Sequence, residues 1–212
     1  MGLAACLASA LLLAWWATLP GLRVYVDPDL AFEVDWFAFR KAFLDAGVRK
    51  VEVLAMPRSE DVLAQDLGPW RRRMSVGLLS SRGRNPLLTA EDEKNGRTGP
   101  GSSAGRLAVV HPDELARFLG KHRASWPGTP EPDLVDVRRY LFTNTALHET
   151  WHAVTDSAAH NPVDREAVMF GDPAANAAEL GSRFLSFRGG ERQRLVELFA
   201  PVLPGGPDLQ AR

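Results

Sequence analysis

The chain opens on an unbroken apolar run. From Gly2 to Leu22 no side chain is charged, and Leu11, Leu12, Leu13, Trp15 and Trp16 lie within it. Its length suits a bilayer span of about 20 residues. A cleaved signal peptide carries a basic leading region and a small-x-small cleavage site, yet the first Lys or Arg here is Arg23, and Trp15 spoils the site ending at Ala17. Residues 1–22 therefore read as a hydrophobic anchor or signal segment ahead of a domain spanning 23–212. A buried N-terminal helix is the plainer alternative.

The pattern then changes. Leu22 to Val26 alternates as a short strand, and Asp35 to Ala46 places Trp36, Phe37, Phe39, Phe43 and Leu44 at helical spacing before Gly47 supplies a stop. Val51 to Leu54 reads as a second strand, so the opening is a β-α-β unit with parallel neighbouring strands. A helix from Glu60 to Leu67 and a strand from Met74 to Leu79 follow. The polar, Gly- and Ser-rich stretch from Ser80 to Gly105 reads as one long loop. Next come a strand from Arg106 to Val110, the expected edge of the sheet, a short helix from Asp113 to Leu119 and a Pro-rich connection from Trp126 to Pro132. Asp133 is placed to cap a long helix on which Leu134, Val137, Leu141, Thr145, His148 and His152 share one face. Asp172-Pro173 reads as the start of another helix. The alternation of strands and helices predicts an α/β chain with a twisted mixed sheet packed on the long helix, followed by a smaller, mostly helical C-terminal subdomain.

Composition narrows the chemistry. With 45% hydrophobic and 24% charged residues among 212, the chain can bury a sizeable core. Its 25 Lys+Arg balance 26 Asp+Glu, so no global basic field exists to hold a nucleic-acid backbone. Cys6 is the single cysteine, which excludes an intrachain disulfide and a thiolate metal cluster; any metal must sit on His, Asp or Glu.

His148-Glu149-Thr150-Trp151-His152 is an instance of H-E-x-x-H. Residues four apart on a helix stack one turn above another, so two imidazoles can bind one metal ion while Glu149 points toward its water. With the 5 His and 12 Glu of this chain, the pattern arises by chance with a probability of roughly 0.007. Zinc suits a site of neutral imidazole nitrogens with one position left for water. A third protein ligand is then required. His160 lies eight residues beyond His152, past Asp156-Ser157 where the helix can end; Glu179, on the predicted following helix, is the rival. Asp156 and Glu166 are weaker candidates. His111 and His122 stand alone and read as surface or strand-end residues, Arg71-Arg72-Arg73 as a solvated basic run, and Glu91-Asp92-Glu93 as an acidic run without a metal.

His148-Glu149-x-x-His152, then His160, then Ala167-Val168-Met169-Phe170 resembles the metzincin clan of zinc endopeptidases, and within it the matrixin-like proteins. Leu185-Ser186 and the stretch from Arg194 to Phe199 are similar to the C-terminal helix region of those domains. The resemblance is strong over 140–170 and loose over the strand-helix-strand opening. It implies an α+β zincin-like fold, Zn2+ held by His148, His152 and His160, Glu149 as general base, and Met169 as the methionine of a turn beneath the metal. The clan has its third ligand six residues after the second histidine and a glycine three after it; here Ala158 and Thr155 hold those places, so the turn to His160 is two residues longer. The gluzincin class, completed by a glutamate of a following helix, would use Glu179 instead.

The implied activity is metal-assisted hydrolysis of peptide bonds, in which Glu149 takes a proton from water and passes it to the leaving nitrogen. The expected partners are a peptide or protein substrate, added as a strand to a sheet edge, and a membrane through the N-terminal segment, with the domain outside the cytoplasm. No nucleic-acid partner is expected. A non-catalytic zinc domain, closed by a fourth ligand, is the alternative from a different class.

Overall fold

The computed structural model describes residues 21–56, 73–82, 99–126 and 134–200. The expected helix from Glu60 to Leu67, the Arg71-Arg72 pair, the acidic run at 91–93, most of the Pro-rich connection and residues 1–20 lie outside them. Among the described residues, no helix is long and apolar enough to cross a membrane.

Among the described residues, five strands form one sheet: β1 (Gly21–Val26), β2 (Val51–Ala55), β3 (Arg73–Ser80), β4 (Gly101–Ala104) and β5 (Leu107–Val110), in the order β2-β1-β3-β5-β4. β1 pairs in parallel with β2 and β3, and β3 with β5, whereas β4 turns back antiparallel on β5. A central parallel strand is covered on both faces, which is why five of the six residues of β1 are buried. Gly21 and Leu22, the end of the apolar N-terminal run, belong to this strand, and Leu22 lies in the core.

Helix α1 (Trp36–Asp45) starts where Asp35 accepts a hydrogen bond from the Ala38 N–H at 2.9 Å. It buries Phe39, Ala42 and Phe43, one helical face. It ends at Gly47, whose φ of +103° only glycine adopts without strain. Phe43 then stacks on Phe187 with ring centroids 4.8 Å apart, tying the C-terminal segment to the first helix. Helix α2 is Pro112–Lys121, preceded by His111, whose side chain makes no cap hydrogen bond.

Helix α3 (Leu134–Thr155) is the axis of the molecule. It packs on β3, β4 and β5 on one side and on α1, α2 and the C-terminal helices α4 (Ala177–Leu180) and α5 (Gly189–Leu198) on others. From Leu141 to Thr155 every residue is buried except His148, which is half-buried. The face seen in the sequence is thus only part of its buried surface. The mixed α/β architecture, helices packed on a five-stranded mixed sheet, is the α+β, zincin-like arrangement expected.

Three expectations need correction. The stretch from Ser80 to Gly105 is not one loop, because Gly101–Ala104 forms β4. Consequently Leu107–Val110 is an inner strand, flanked by β3 and β4, and among the described residues β4 is the edge on that side. The helix expected from Asp172-Pro173 begins later: the Asp172 carboxylate accepts from Ala174 and Ala175 N–H groups, making turns, and α4 starts at Ala177.

Candidate metal centre

His148 and His152 project from α3 one turn apart, with ring centroids 4.7 Å apart. The helix stops at Thr155, and Asp156 takes φ +48°, the left-handed cap that lets the chain reverse. Asp is one of the few side chains that tolerate this conformation, so the turn is made without glycine. The Ala159 N–H then bonds to Ser157 Oγ at 3.2 Å, and His160 comes back toward the helix.

The three imidazoles converge through their Nε2 atoms. His152 Nε2 lies 3.1 Å from His148 Nε2 and 3.3 Å from His160 Nε2. On the other side of each helical ring, His148 Nδ1–H donates to the Val168 carbonyl at 2.9 Å and His152 Nδ1–H donates to the Ser157 carbonyl. A carbonyl can only accept, so both protons sit on Nδ1 and both Nε2 atoms present lone pairs. Lone pairs this close, with no proton between them, repel unless a cation lies among them. Zinc held tetrahedrally by nitrogens at about 2.0–2.1 Å sets those nitrogens about 3.3–3.4 Å apart. The spacing therefore fits a metal ion, and His148, His152 and His160 form a group that can hold one. Among the described residues no fourth His, Cys, Asp or Glu joins them, and Glu179 on α4 is outside the group. Glu166 is committed to Arg183 and Arg188.

The electrostatics keep the two helical imidazoles neutral. Burial, reinforced by the neighbouring His152, pushes His148 down to about 3, and burial likewise lowers His152. Glu149 lies against the edge strand, where burial pushes its carboxyl up to about 8, against the opposing hydrogen bond from Ser103. Gly101 makes that approach possible: a Cβ there would stand 2.4 Å from Glu149 Cγ and 2.6 Å from Oε1.

Clefts open on both sides of this cluster. One runs past Ser102, Ser103 and Ser157. The other is a cavity of about 210 Å³ walled by Val168, Phe170, Pro173 and Leu180.

Several contributors escaped the sequence reading. Asn161 fixes the loop carrying His160: its N–H donates to the Met169 carbonyl at 2.7 Å, its Nδ2 to Glu191 Oε1 at 3.1 Å, and its Oδ1 accepts from Val163 and Asp164. The Asn-Pro dipeptide at 161–162 was the available signal, since such pairs initiate turns. Met169, which the sequence did single out, is fully buried in the segment that also supplies the Val168 carbonyl. Ser103 and Gly101 had no signal at all. His111, expected at the surface or at a strand end, is buried at the end of β5, with Nε2 3.1 Å from Ser102 Oγ.

No protein-family model and no curated protein matches the chain. Among solved structures it is similar to a zinc-dependent peptidase from Methanocorpusculum labreanum (strain Z), at 13% identity and a TM-score of 0.44, covering 82% of this chain and 100% of that one.

Proposed function

We propose that the chain is a zinc-dependent peptidase of metzincin-like type, with His148, His152 and His160 as ligands and Glu149 as general base. The observation that carries this reading is the convergence of three Nε2 atoms at 3.1 and 3.3 Å, those of His148 and His152 presenting lone pairs, beside a carboxylate on the same helix. Zinc bound there supplies Lewis acidity to the scissile carbonyl and to water. Glu149 receives the proton of the attacking water and delivers it to the departing amine nitrogen. A dication on the adjacent imidazoles favours the ionised carboxylate, offsetting the burial that raises Glu149. Ser103, donating to the same carboxylate, orients it.

The substrate in this reading is an extended peptide added to the outer side of β4, where no described strand pairs. In this reading the apolar residues ahead of β1 export the domain or tether it to a membrane, outside the cytoplasm, while Gly21 and Leu22 serve the sheet. The expected third ligand is His160 rather than Glu179.

The test measures zinc per chain and peptide cleavage for the parent, for His160→Ala and for Glu149→Gln. The reading requires one zinc and cleavage in the parent, no zinc in His160→Ala, and zinc without cleavage in Glu149→Gln. A parent that holds zinc but cleaves no peptide in a broad library points instead to a non-catalytic zinc domain.

A further inference from the structure

β4, the strand that lies against Glu149, carries no side chain able to anchor it by apolar burial. It reads Gly-Ser-Ser-Ala, and on its outer side no described strand pairs. The placement of Glu149 nevertheless depends on it: Gly101 leaves room for the carboxylate, and Ser103 bonds to it. Successive strand residues face opposite sides, so Gly101 and Ser103 meet α3 while Ser102 between them faces away. A grip on Ser102 therefore sets how closely the strand approaches Glu149 without touching the reacting groups.

His111 supplies that grip. It follows β5 and is only 1% exposed. Its N–H donates to the Pro100 carbonyl at 2.9 Å, and its Nε2 lies 3.1 Å from Ser102 Oγ, so it bonds the chain on both sides of Gly101. Its own carbonyl accepts from the Leu115 N–H at 3.0 Å, which ties it to the first turn of α2. Burial holds the imidazole below its ordinary range, so the ring is neutral at neutral pH. An apolar side chain would fill this place without the desolvation cost of an imidazole; what the imidazole adds is the polar contact with Ser102.

We propose that His111 is a positioning residue for peptide hydrolysis: by holding Ser102 from the side of β4 opposite α3, it fixes the strand against which the Glu149 carboxylate is placed. The proposal rests on the peptidase reading and deepens it by a residue that contacts neither the three imidazoles nor Glu149.

The full zinc-loaded chain is compared with His111→Leu, Ser102→Ala, their double variant and His111→Gln. His111→Leu should lower kcat by about 10- to 100-fold, the cost of misplacing a reacting group by up to about 1 Å, with one zinc per chain retained. Ser102→Ala removes the same contact from the other side without altering the buried residue, and serves alone should His111→Leu fail to fold. The double variant should lose no more than the larger single loss, because both changes break one contact. A glutamine amide reaches about as far as Nε2 and can donate or accept, so His111→Gln should restore most of the lost turnover. A readout independent of turnover is amide hydrogen exchange followed by NMR: it should quicken over Gly101–Ala104 in His111→Leu and Ser102→Ala, stay unchanged in β1 and α3, and return toward the parent in His111→Gln. Unchanged turnover and exchange in Ser102→Ala, additive losses in the double variant, or no recovery in His111→Gln with exchange quickened throughout α2 and β3 would each overturn the proposal and leave His111 a packing residue of an active peptidase. A parent that cleaves no peptide overturns the peptidase reading, and the exchange pattern then decides by itself whether His111 holds β4.

Discussion

Helix α3 holds His148 and His152 on a regular backbone buried on nearly every side, whereas His160 stands exposed on a stretch, 156–188, whose single helix is Ala177–Leu180. The helical pair is positioned by spacing and by the Nδ1 bonds to Val168 and Ser157 carbonyls. The third imidazole is positioned by polar turns, above all those of Asn161. Apolar burial makes the first region rigid without specifying chemistry, and directional hydrogen bonds make the second adaptable in length. That difference explains how a turn to the third histidine two residues longer than the metzincin spacing still returns to the helix.

Removing a ligand tests the contrast most strongly. His152→Ala and His160→Ala should each take zinc from one per chain to essentially none in metal analysis after gel filtration. In the second variant α3 should be unperturbed by circular dichroism; restored binding in a His160→Asp variant would sharpen the view that the loop only has to present a ligand. Next, Glu149→Gln should lower kcat/KM by about 100- to 10,000-fold, the usual contribution of a positioned base, with zinc retained. Gly101→Ala comes third. Its new methyl group would displace the Glu149 carboxylate, and misplacement of a base by about 1 Å costs about 100-fold in turnover.

Asn161→Ala should have a smaller effect. Loosening the loop should weaken zinc binding by about 10- to 100-fold, the range for groups that orient a ligand, while the melting of the sheet and α3 changes little. Weakened binding no greater than in a variant of an exposed residue such as Val163 would remove the distinction between the two regions. The smallest effect is a pH dependence of the zinc-free chain. Glu149 ionises at about 4.5 when unfolded but at about 8 when folded, so unfolding releases a proton between these values and stability falls as pH rises. His148, ordinarily near 6.5 and held at about 3, makes unfolding take up a proton, so stability falls as pH drops below 6.5. The melting temperature should therefore peak between about pH 4.5 and 6.5. Glu149→Gln should abolish the loss on the alkaline side and leave the acid side intact.

Much of this was legible residue by residue. The opening β-α-β unit, with its Asp35 cap and Gly47 stop, depends on contacts within a few residues, and so does the stacking of His148 over His152. β4 was illegible because Gly-Ser-Ser-Ala carries no alternation of apolar and polar positions. It is a strand because β5 pairs with it and because Ser102 and Ser103 meet His111 and Glu149. With β4 hidden, the stretch from Arg106 to Val110 reads as the edge. The delayed start of α4 was hidden for a related reason: the Asp172 carboxylate caps turns as readily as it caps a helix.

By itself, then, the sequence determined the chemistry on offer. It excluded thiolate metal sites and a nucleic-acid-binding field, it placed two imidazoles and a carboxylate on one helix, and it limited the third ligand to a few residues. Tertiary structure decided which of those residues meet. His160 rather than Glu179 approaches the pair because the left-handed turn at Asp156 and the bonds of Asn161 send the chain back beneath α3. The same folding left Asn144 fully bonded and the buried Asn176 Oδ1 without a partner. Spacing along a helix is a local property written in the chain, whereas the path of a turn and the partner of a buried amide depend on residues far apart in sequence.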